Sequence, residues 1–147
     1  MHRIANAEWK GSGAEGQGTL TTASGAFTDL PYSAKLRFQN EDGVDHRPGG
    51  TNPEELLGAA HAGCFSMALA FRLTAAGHPA ESIKTEAKVE IVKGEGGWTI
   101  PSIRLVCNAK VPGIDPAKFA ELAADAKANC PVSKALRPDI TLTANLV

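Results

Sequence analysis

The sequence of 147 residues predicts a single α+β domain. Three observations support this class: several short stretches alternate apolar and polar residues, one long central segment is apolar and bounded by helix start and stop signals, and a second, shorter helical pattern follows it. A chain of this length with 43% hydrophobic residues can bury a core without disulfides or metals. We therefore expect one domain covering residues 1–147.

The first third of the chain predicts a meander of short strands. Residues 4–10 and 19–23 are extended in character and are separated by a glycine-rich stretch. Residues 32–39 alternate apolar and polar side chains, which predicts a further strand with Arg37 on its solvent face. Residues 40–50 contain three glycines and show no periodicity, so we expect a loop there.

The central segment, residues 51–77, predicts the main helix. Its start holds cap residues, a proline and two glutamates within residues 51–55, and Gly77 is the predicted stop. The segment is apolar on all sides as far as Arg72, so we expect it to be buried nearly all round. Its longest apolar run, residues 56–71, is short for a bilayer span and predicts a core helix.

The second half predicts a strand pair, a helix and a final strand. Residues 83–91 and 103–111 alternate around a glycine-rich turn, which predicts a hairpin. Asp115 is the predicted cap of a helix that ends at residues 129–131, where a proline follows a cysteine. Residues 140–146 alternate again and predict the last strand.

Charge and cysteine usage exclude several classes of protein. Fifteen Lys and Arg against sixteen Asp and Glu give a net charge of −1, so there is no basic excess to attract nucleic acid or an anionic membrane. The three cysteines form no C-x-x-C pair, which argues against a disulfide framework and a zinc ribbon. The first residues lack a secretory signal pattern, so we expect a reducing, cytoplasmic location.

Two of the cysteines are candidates for chemistry. Cys64 lies on the apolar stripe of the main helix, where it is either a buried hydrophobe or a reactive thiol. Gly58 and Gly63 lower the helix propensity of this segment, which makes sense if another backbone or a substrate must approach closely there. Cys130 is held at a helix cap by the proline that follows it, and the positive end of the helix would favour its thiolate. A structural role is the alternative for Cys130. Cys107 faces inward on its strand and is expected in the core.

The charged candidates leave more than one interpretation open. His61 lies three residues before Cys64 on the same side of the helix, so it could ligate a metal together with Cys130, act as a base for Cys64, or be a packed, hydrogen-bonded histidine. His78 and Cys107 do not have the spacing of a zinc site, and no Asn or Asp is obviously placed to orient the imidazole of His61. By themselves, Arg37 would be a solvated arginine and Glu54 an ordinary N-terminal carboxylate.

Residues 51–67, TNPEELLGAAHAGCFSM, resemble the central motif of the OsmC/Ohr family, the osmotically inducible protein C and organic hydroperoxide resistance proteins. Residues 129–133, NCPVS, resemble the second cysteine motif of that family, and residues 111–115, VPGID, resemble the segment before its second long helix. His61, where Ohr proteins usually have tyrosine, makes the chain similar to the OsmC branch.

The resemblance implies an OsmC-like fold, with antiparallel sheets around long central helices in an intertwined homodimer. It implies a thiol-dependent peroxidase that reduces organic hydroperoxides, with hydrogen peroxide as a second candidate substrate. Cys64 would become a sulfenic acid, Cys130 would resolve it as a Cys64–Cys130 disulfide, and an external dithiol such as a lipoylated protein would regenerate both thiols. It implies no metal or organic cofactor.

By the same resemblance, Arg37 would favour the thiolate of Cys64, and Glu54 would hold the guanidinium by a bidentate pair. Arg47, in the loop of residues 40–50, is the alternative arginine. Ten residues of continuous helix would separate the backbones of Glu54 and Cys64 by about 15 Å. Either the helix bends near Gly58, or the Arg37–Glu54 pair of one subunit completes the cysteine site of the other, and we favour the shared site.

Two other function classes stay open at this point. A cysteine-dependent acyl-transfer enzyme would use His61 as its base and form an acyl-enzyme without a disulfide. A non-catalytic protein that binds a ligand or metal would keep its function after Cys130 is replaced.

Overall fold

The computed structural model describes residues 1–38, 49–136 and 138–147, which form four helices and eight strands. In chain order the elements are β1 (Ala5–Lys10), β2 (Gln17–Thr22), β3 (Leu30–Ser33), α1 (Ala34–Phe38), α2 (Pro53–Ala75), β4 (Ser82–Val89), β5 (Val92–Gly94), β6 (Gly97–Thr99), β7 (Ser102–Lys110), α3 (Pro116–Asn129), α4 (Pro131–Ala135) and β8 (Asp139–Leu146). They belong to two compact units, Met1–Leu56 and Leu57–Val147. Helix α2 begins in the first unit and continues through the second.

The first unit contains the predicted meander. Strands β1, β2 and β3 form an antiparallel sheet in that order. Gly18 on β2 pairs with Trp9 on one side and Tyr32 on the other, and the two aromatic rings lie 5.3 Å apart. A Cβ atom on Gly18 would overlap the Tyr32 ring, so the glycine permits this aromatic contact.

The prediction of one strand over residues 32–39 is wrong for residues 34–38, while residue 39 and most of the loop predicted at residues 40–50 lie outside the described residues. Residues 34–38 form the short helix α1, and the Ser33 hydroxyl accepts a hydrogen bond of 3.1 Å from the backbone N–H of Leu36. Serine caps helix starts in this way, and Ala, Lys, Leu and Arg are all good helix formers. The cap and the local propensity outweigh the alternation, so Arg37 lies on a helix and not on the solvent face of a strand.

Helix α2 has the predicted start and stop. The Asn52 side chain accepts a hydrogen bond of 2.8 Å from the Glu55 backbone N–H, which caps the first turn. At the other end Gly77 has a φ of 82°, and the His78 N–H donates to the Leu73 carbonyl at 2.9 Å. This Schellman arrangement satisfies carbonyls that the end of a helix leaves free.

The two sides of α2 differ in burial. Phe65 and Leu69 are fully buried, whereas Met67 is 60% exposed and Phe71 is 71% exposed. The burial predicted on all sides is therefore not reached within one chain. The helix has 23 residues, more than the apolar run at 56–71, and by length and composition alone it could cross a bilayer, a test that core helices also pass.

The main sheet of the second unit has the strand order β4-β7-β8. Strands β4 and β7 pair antiparallel, as predicted, while the glycine-rich turn between them forms a separate hairpin of β5 and β6. Strand β8 pairs parallel with β7, so the prediction of purely antiparallel sheets is wrong for this pair. Helices α3 and α4 lie between β7 and β8 in the chain and supply the long crossover that parallel neighbours require.

The core of the second unit combines α2, β7 and α3. Asp115 caps α3, since its carboxylate accepts from the N–H groups of Ala117 and Lys118 at 2.9 and 3.1 Å. The side chains of this core come from all three elements and from the junction that follows α3, and they include Phe65, Leu69, Leu73, Leu105, Cys107, Ala109, Phe119, Ala123, Ala126 and Cys130.

Candidate active site

Cys64 and Cys130 meet in the second unit. Cys64 lies midway along α2 and is half-buried, and Cys130 lies at the junction of α3 and α4 and is fully buried. Both are free thiols, and they lie close enough for each to shift the pKa of the other. The fold thus brings together two cysteines that are far apart in the sequence.

The surroundings of Cys64 favour its protonated form. Burial raises the pKa of the Cys64 thiol, and Cys130 raises it further, while the Val132 backbone opposes both effects. None of these groups carries a positive charge. A thiolate at Cys64 therefore needs a cation from outside this set of groups.

Cys130 is the more acidic of the two thiols. Burial raises its pKa, but the Ser133 backbone N–H, the Cys64 thiol, the Ser133 hydroxyl and the Val132 backbone N–H lower the pKa more, and the net direction is down. Cys130 has an extended backbone, with φ −61° and ψ 123°, because Pro131 follows it. In the reduced pair, Cys64 is therefore the donor and Cys130 the acceptor.

Arg37 and Glu54 form an ion pair in the first unit. Nε of Arg37 donates to both carboxylate oxygens, at 3.1 and 3.0 Å, and Nη2 donates to Oε1 at 2.6 Å. Glu54 is only 8% exposed, so the pair is stronger than one in open solvent. The carboxylate fixes the direction of the guanidinium, which leaves Nη1 outside this pair.

His61 is fully buried on α2 and contacts Ser133, a residue to which sequence reasoning gave no role. Nε2 of His61 lies 2.8 Å from the Ser133 hydroxyl, and Nδ1 is buried and has no hydrogen-bond partner among the described residues. Burial lowers the pKa of His61, so its ring is neutral. One signal in the sequence could have found Ser133. It lies three residues after Cys130, in the first turn of α4, and a serine at that position can point its hydroxyl back to the N-cap residue, which is Cys130.

Cys107 is in the core, as its strand phase predicts. It is fully buried on β7; burial raises the pKa of its thiol, and Thr85 is the polar group that opposes this effect. Arg47, the alternative arginine, lies outside the described residues. Across residues 1–38, 49–136 and 138–147, no three His, Cys, Asp or Glu side chains cluster closely enough to ligate a metal ion.

A family model described as OsmC-like protein matches residues 44–145 of this chain. The chain belongs to the OsmC-like family. Among relatives of this OsmC-like chain, the peroxiredoxin OsmC of Escherichia coli K12 is 44% identical over 142 residues, which cover 97% of this chain and 94% of the relative. An organic hydroperoxide resistance protein of Xanthomonas axonopodis pv. citri is 35% identical over 122 residues, covering 81% and 82%.

Solved structures of OsmC-like proteins share this fold. The organic hydroperoxide resistance protein OhrB of Bacillus subtilis matches with a TM-score of 0.68 and 28% identity, covering 98% of both chains. An OsmC protein of Legionella pneumophila matches with a TM-score of 0.69 and 25% identity, covering 99% of this chain and 98% of that one. The α+β, OsmC-like fold class predicted from the sequence is thereby confirmed.

Proposed function

We propose that this OsmC-like chain is a cysteine-based peroxidase that reduces organic hydroperoxides, with hydrogen peroxide as a second substrate to test. The observation that carries the proposal is the contact between the thiols of Cys64 and Cys130 in one buried site. The names of its relatives, a peroxiredoxin and organic hydroperoxide resistance proteins, support the same class of reaction.

In the proposed first step, the thiolate of Cys64 attacks the terminal oxygen of the hydroperoxide. An S–O bond forms, the O–O bond breaks, and the alkoxide leaves and takes up a proton as an alcohol. The sulfur is oxidised to a sulfenic acid while the peroxide is reduced. Cys64 suits this step because it is the more accessible of the two thiols.

In the second step, Cys130 attacks the sulfenic sulfur of Cys64. The S–S bond forms, the S–O bond breaks, and hydroxide leaves and is protonated to water. An external dithiol, such as a lipoylated protein, then reduces the disulfide by exchange. The chemistry uses cysteine thiols alone, so the proposal includes no metal or organic cofactor, and it suits a reducing compartment such as the cytoplasm.

His61 does not fit the alternative role of a base for Cys64. One ring nitrogen contacts Ser133, the other has no hydrogen-bond partner, and His61 is not among the groups that shift the pKa of Cys64. This favours the peroxidase over a cysteine-dependent acyl-transfer enzyme, which would require that base.

The proposed enzyme is a homodimer built around α2. The side of this helix that the chain leaves exposed carries Gly63, Met67 and Phe71, spaced four residues apart. Among the described residues, nothing outside the local helix backbone lies within 4 Å of where a Gly63 side chain would be, so a second helix could approach closely there. A second copy of the chain would bury this apolar face.

The dimer would supply the cation that Cys64 lacks within its own set of neighbours. Ten residues of helix would separate the backbones of Glu54 and Cys64 by about 15 Å. We therefore retain the shared site: Arg37, held by Glu54, would act on the Cys64–Cys130 pair of the partner subunit. In that arrangement residues 1–147 work as one domain in each subunit.

A mixed dimer tests the shared site. Cys64→Ser subunits and Arg37→Ala subunits are each expected to be inactive as homodimers. In a purified heterodimer one site would carry both changes and the other neither, so about half of the wild-type activity should return. Verified heterodimers without activity would place the arginine in the same subunit as the cysteine, and a fully active Arg37→Ala homodimer would transfer its role to Arg47.

Peroxide consumption tests the proposed function itself. The purified protein, supplied with a dithiol reductant, is expected to consume cumene hydroperoxide, and hydrogen peroxide is measured in parallel. Cys64→Ser should abolish turnover, because it removes the nucleophile with little change of volume. Cys107→Ala, which removes a buried thiol outside the site, is the matched control and should retain activity. Wild-type activity in Cys64→Ser would refute the proposal.

A further inference from the structure

His61 is the one titratable group at this site that the two chemical steps above do not use. It is fully buried, yet its only hydrogen bond among the described residues is the one to Ser133, at 2.8 Å. Its Nδ1 atom has no partner. A buried polar ring with half its hydrogen-bonding capacity unused costs stability, so a functional reason for it is worth seeking.

The unpaired Nδ1 atom decides which nitrogen of His61 carries the proton. The ring is neutral, because burial lowers its pKa. A proton on Nδ1 would leave a buried N–H without an acceptor, whereas a proton on Nε2 leaves only an unused acceptor. Orphaned N–H groups are the rarer of the two in proteins. We therefore assign the proton to Nε2, so that His61 donates to the Ser133 hydroxyl.

This assignment orients the Ser133 hydroxyl. A serine hydroxyl has a single proton, and when its oxygen accepts from His61 that proton must point elsewhere. The thiol of Cys130 is the group on which the Ser133 hydroxyl acts, in the direction that stabilises the thiolate. The three side chains therefore form a directed chain of donors, from His61 through Ser133 to the sulfur of Cys130.

We propose that His61 is a positioning residue for the resolving cysteine: through Ser133 it keeps a hydrogen-bond donor on the sulfur of Cys130, so that this sulfur attacks as a thiolate. The catalytic meaning of the proposal rests on the proposed function. The step is the one already balanced above, in which Cys130 displaces hydroxide from the Cys64 sulfenic acid, and it needs no further oxidant or base.

The same donor would direct the reduction of the disulfide. In thiol–disulfide exchange the sulfur with the more acidic thiol is the better leaving group. An external dithiol would therefore attack the sulfur of Cys64, which is also the more exposed one, and the S–S bond would break with Cys130 leaving as the thiolate. The mixed disulfide would then form at Cys64 only.

The groups that act on Cys130 are few. Cys64 acts on it directly, His61 acts through Ser133, and the other contributors are the backbone N–H groups of Val132 and Ser133. Lys134 on the same short helix donates to Asn129 instead. A substitution of His61 should therefore affect Cys130 through Ser133, and replacing Ser133 would interrupt that effect.

The first experiment titrates Cys130 without any peroxide. In a Cys64→Ser background, the ultraviolet absorbance of the thiolate is followed against pH, and the signal of the Cys64→Ser/Cys130→Ala protein is subtracted. His61→Leu is expected to raise the pKa of Cys130 by about one unit, which is a tenfold loss of thiolate below that pKa. His61→Gln, which keeps an N–H near the position of Nε2, should stay close to the parent.

Ser133→Ala separates the donor chain from simple packing. It should raise the pKa of Cys130 at least as much as His61→Leu, and adding His61→Leu to it should have no further effect, since the route is already cut. Unchanged titration in both folded single variants, checked by circular dichroism, would overturn the proposal. If His61→Leu does not fold, Ser133→Ala alone decides the proposal, because the chain of donors from His61 to Cys130 predicts a raised pKa of Cys130 in that variant too.

The second experiment follows one turnover with Cys64 restored. After one equivalent of cumene hydroperoxide, His61→Leu should form the sulfenic acid at the wild-type rate but convert it to the disulfide about three- to fourfold more slowly, because the tenfold loss of thiolate is partly offset by the greater nucleophilicity of a more basic thiolate. Equal slowing of both steps would indicate a general packing defect and contradict the proposal. Absence of any peroxide reaction in the wild type would refute the proposed function, while the titration would still decide the role of His61.

Discussion

At the residue scale, the two thiols differ because their neighbours differ. Cys64 is surrounded by groups that disfavour its charge, whereas Cys130 faces the N–H groups and the hydroxyl of the turn that follows it. The site is thus asymmetric before any peroxide arrives. In the proposed dimer, the partner's Arg37 would activate Cys64, the more exposed thiol. Cys130, the buried thiol, has groups that favour its thiolate within its own chain.

Cys130→Ser is predicted to stop the cycle after one reaction. Without the second thiol, the Cys64 sulfenic acid cannot form a disulfide with Cys130, so excess peroxide oxidises it further to sulfinic acid. Mass spectrometry after excess cumene hydroperoxide should show Cys64 carrying two added oxygens, with steady-state turnover lost. Cys107→Ala under the same treatment should keep its turnover. Sustained turnover by Cys130→Ser would show that another thiol resolves the intermediate.

His61 predicts a pH dependence of stability. Its pKa is lowered in the folded protein from an ordinary value of 6.5, so below about pH 6.5 the unfolded chain binds a proton that the folded chain does not. The free energy of unfolding should therefore fall as the pH drops through this region. Urea unfolding of the wild type and of His61→Gln at several pH values checks this, since the variant should show a shallower dependence; parallel curves would contradict it.

At the element scale, α2 carries most of what the sequence could predict. Its cap and its Gly77 stop are local signals, and the structure has both where they were expected. The strand predicted at residues 32–39 is a helix over residues 34–38, because the Ser33 side chain caps a helix start there although the sequence alternates apolar and polar residues. The parallel pairing of β8 is set by the crossover through α3 and α4, which no local pattern encodes.

The two helix glycines of α2 predict opposite outcomes. Both should gain up to about 1 kcal/mol of helix propensity on replacement by alanine. A Cβ at Gly58 would lie 3.2 Å from the Ala87 carbonyl oxygen of β4, whereas a Cβ at Gly63 would meet nothing within 4 Å in the part of the chain that the structure describes. In a Phe71→Asp background, which removes the proposed contact between the α2 helices of two subunits, Gly63→Ala should therefore raise the free energy of unfolding, and Gly58→Ala should raise it less or lower it. Urea unfolding at matched protein concentration checks this, and equal gains would contradict it.

At the scale of the whole molecule, the sequence predicted the two cysteines and the ion pair by resemblance, and the structure shows their contacts. The cysteine contact depends on the fold, because α2 and the α3–α4 junction must pack on one core before Cys64 and Cys130 can touch. The position of Ser133 three residues after Cys130 is visible in the sequence, but its contact with His61 is not, because that residue lies on another element and meets Ser133 only in the fold. The shared site that would bring the ion pair of one subunit to the cysteines of another stays a prediction.

The exposed face of α2 predicts a dimer that one substitution weakens. A fully buried side chain as large as Phe71 contributes about 1.5–3 kcal/mol, and a two-fold interface contains it twice. Phe71→Asp should therefore shift a dimer to a monomer and reduce activity, as measured by light scattering and peroxide consumption. Val147→Asp, at an equally exposed position, is the matched control and should remain dimeric. A wild type that is a stable, active monomer would refute the dimer.

The most direct measurement is the disulfide that forms after one equivalent of cumene hydroperoxide. Peptide mass spectrometry of the non-reduced protein should find Cys64 joined to Cys130 in nearly every chain, with Cys107 still a free thiol. The bridge should disappear when a dithiol is added. A bridge that includes Cys107, or consumption of the peroxide with all three thiols still free, would contradict a peroxidase that works through this pair of cysteines.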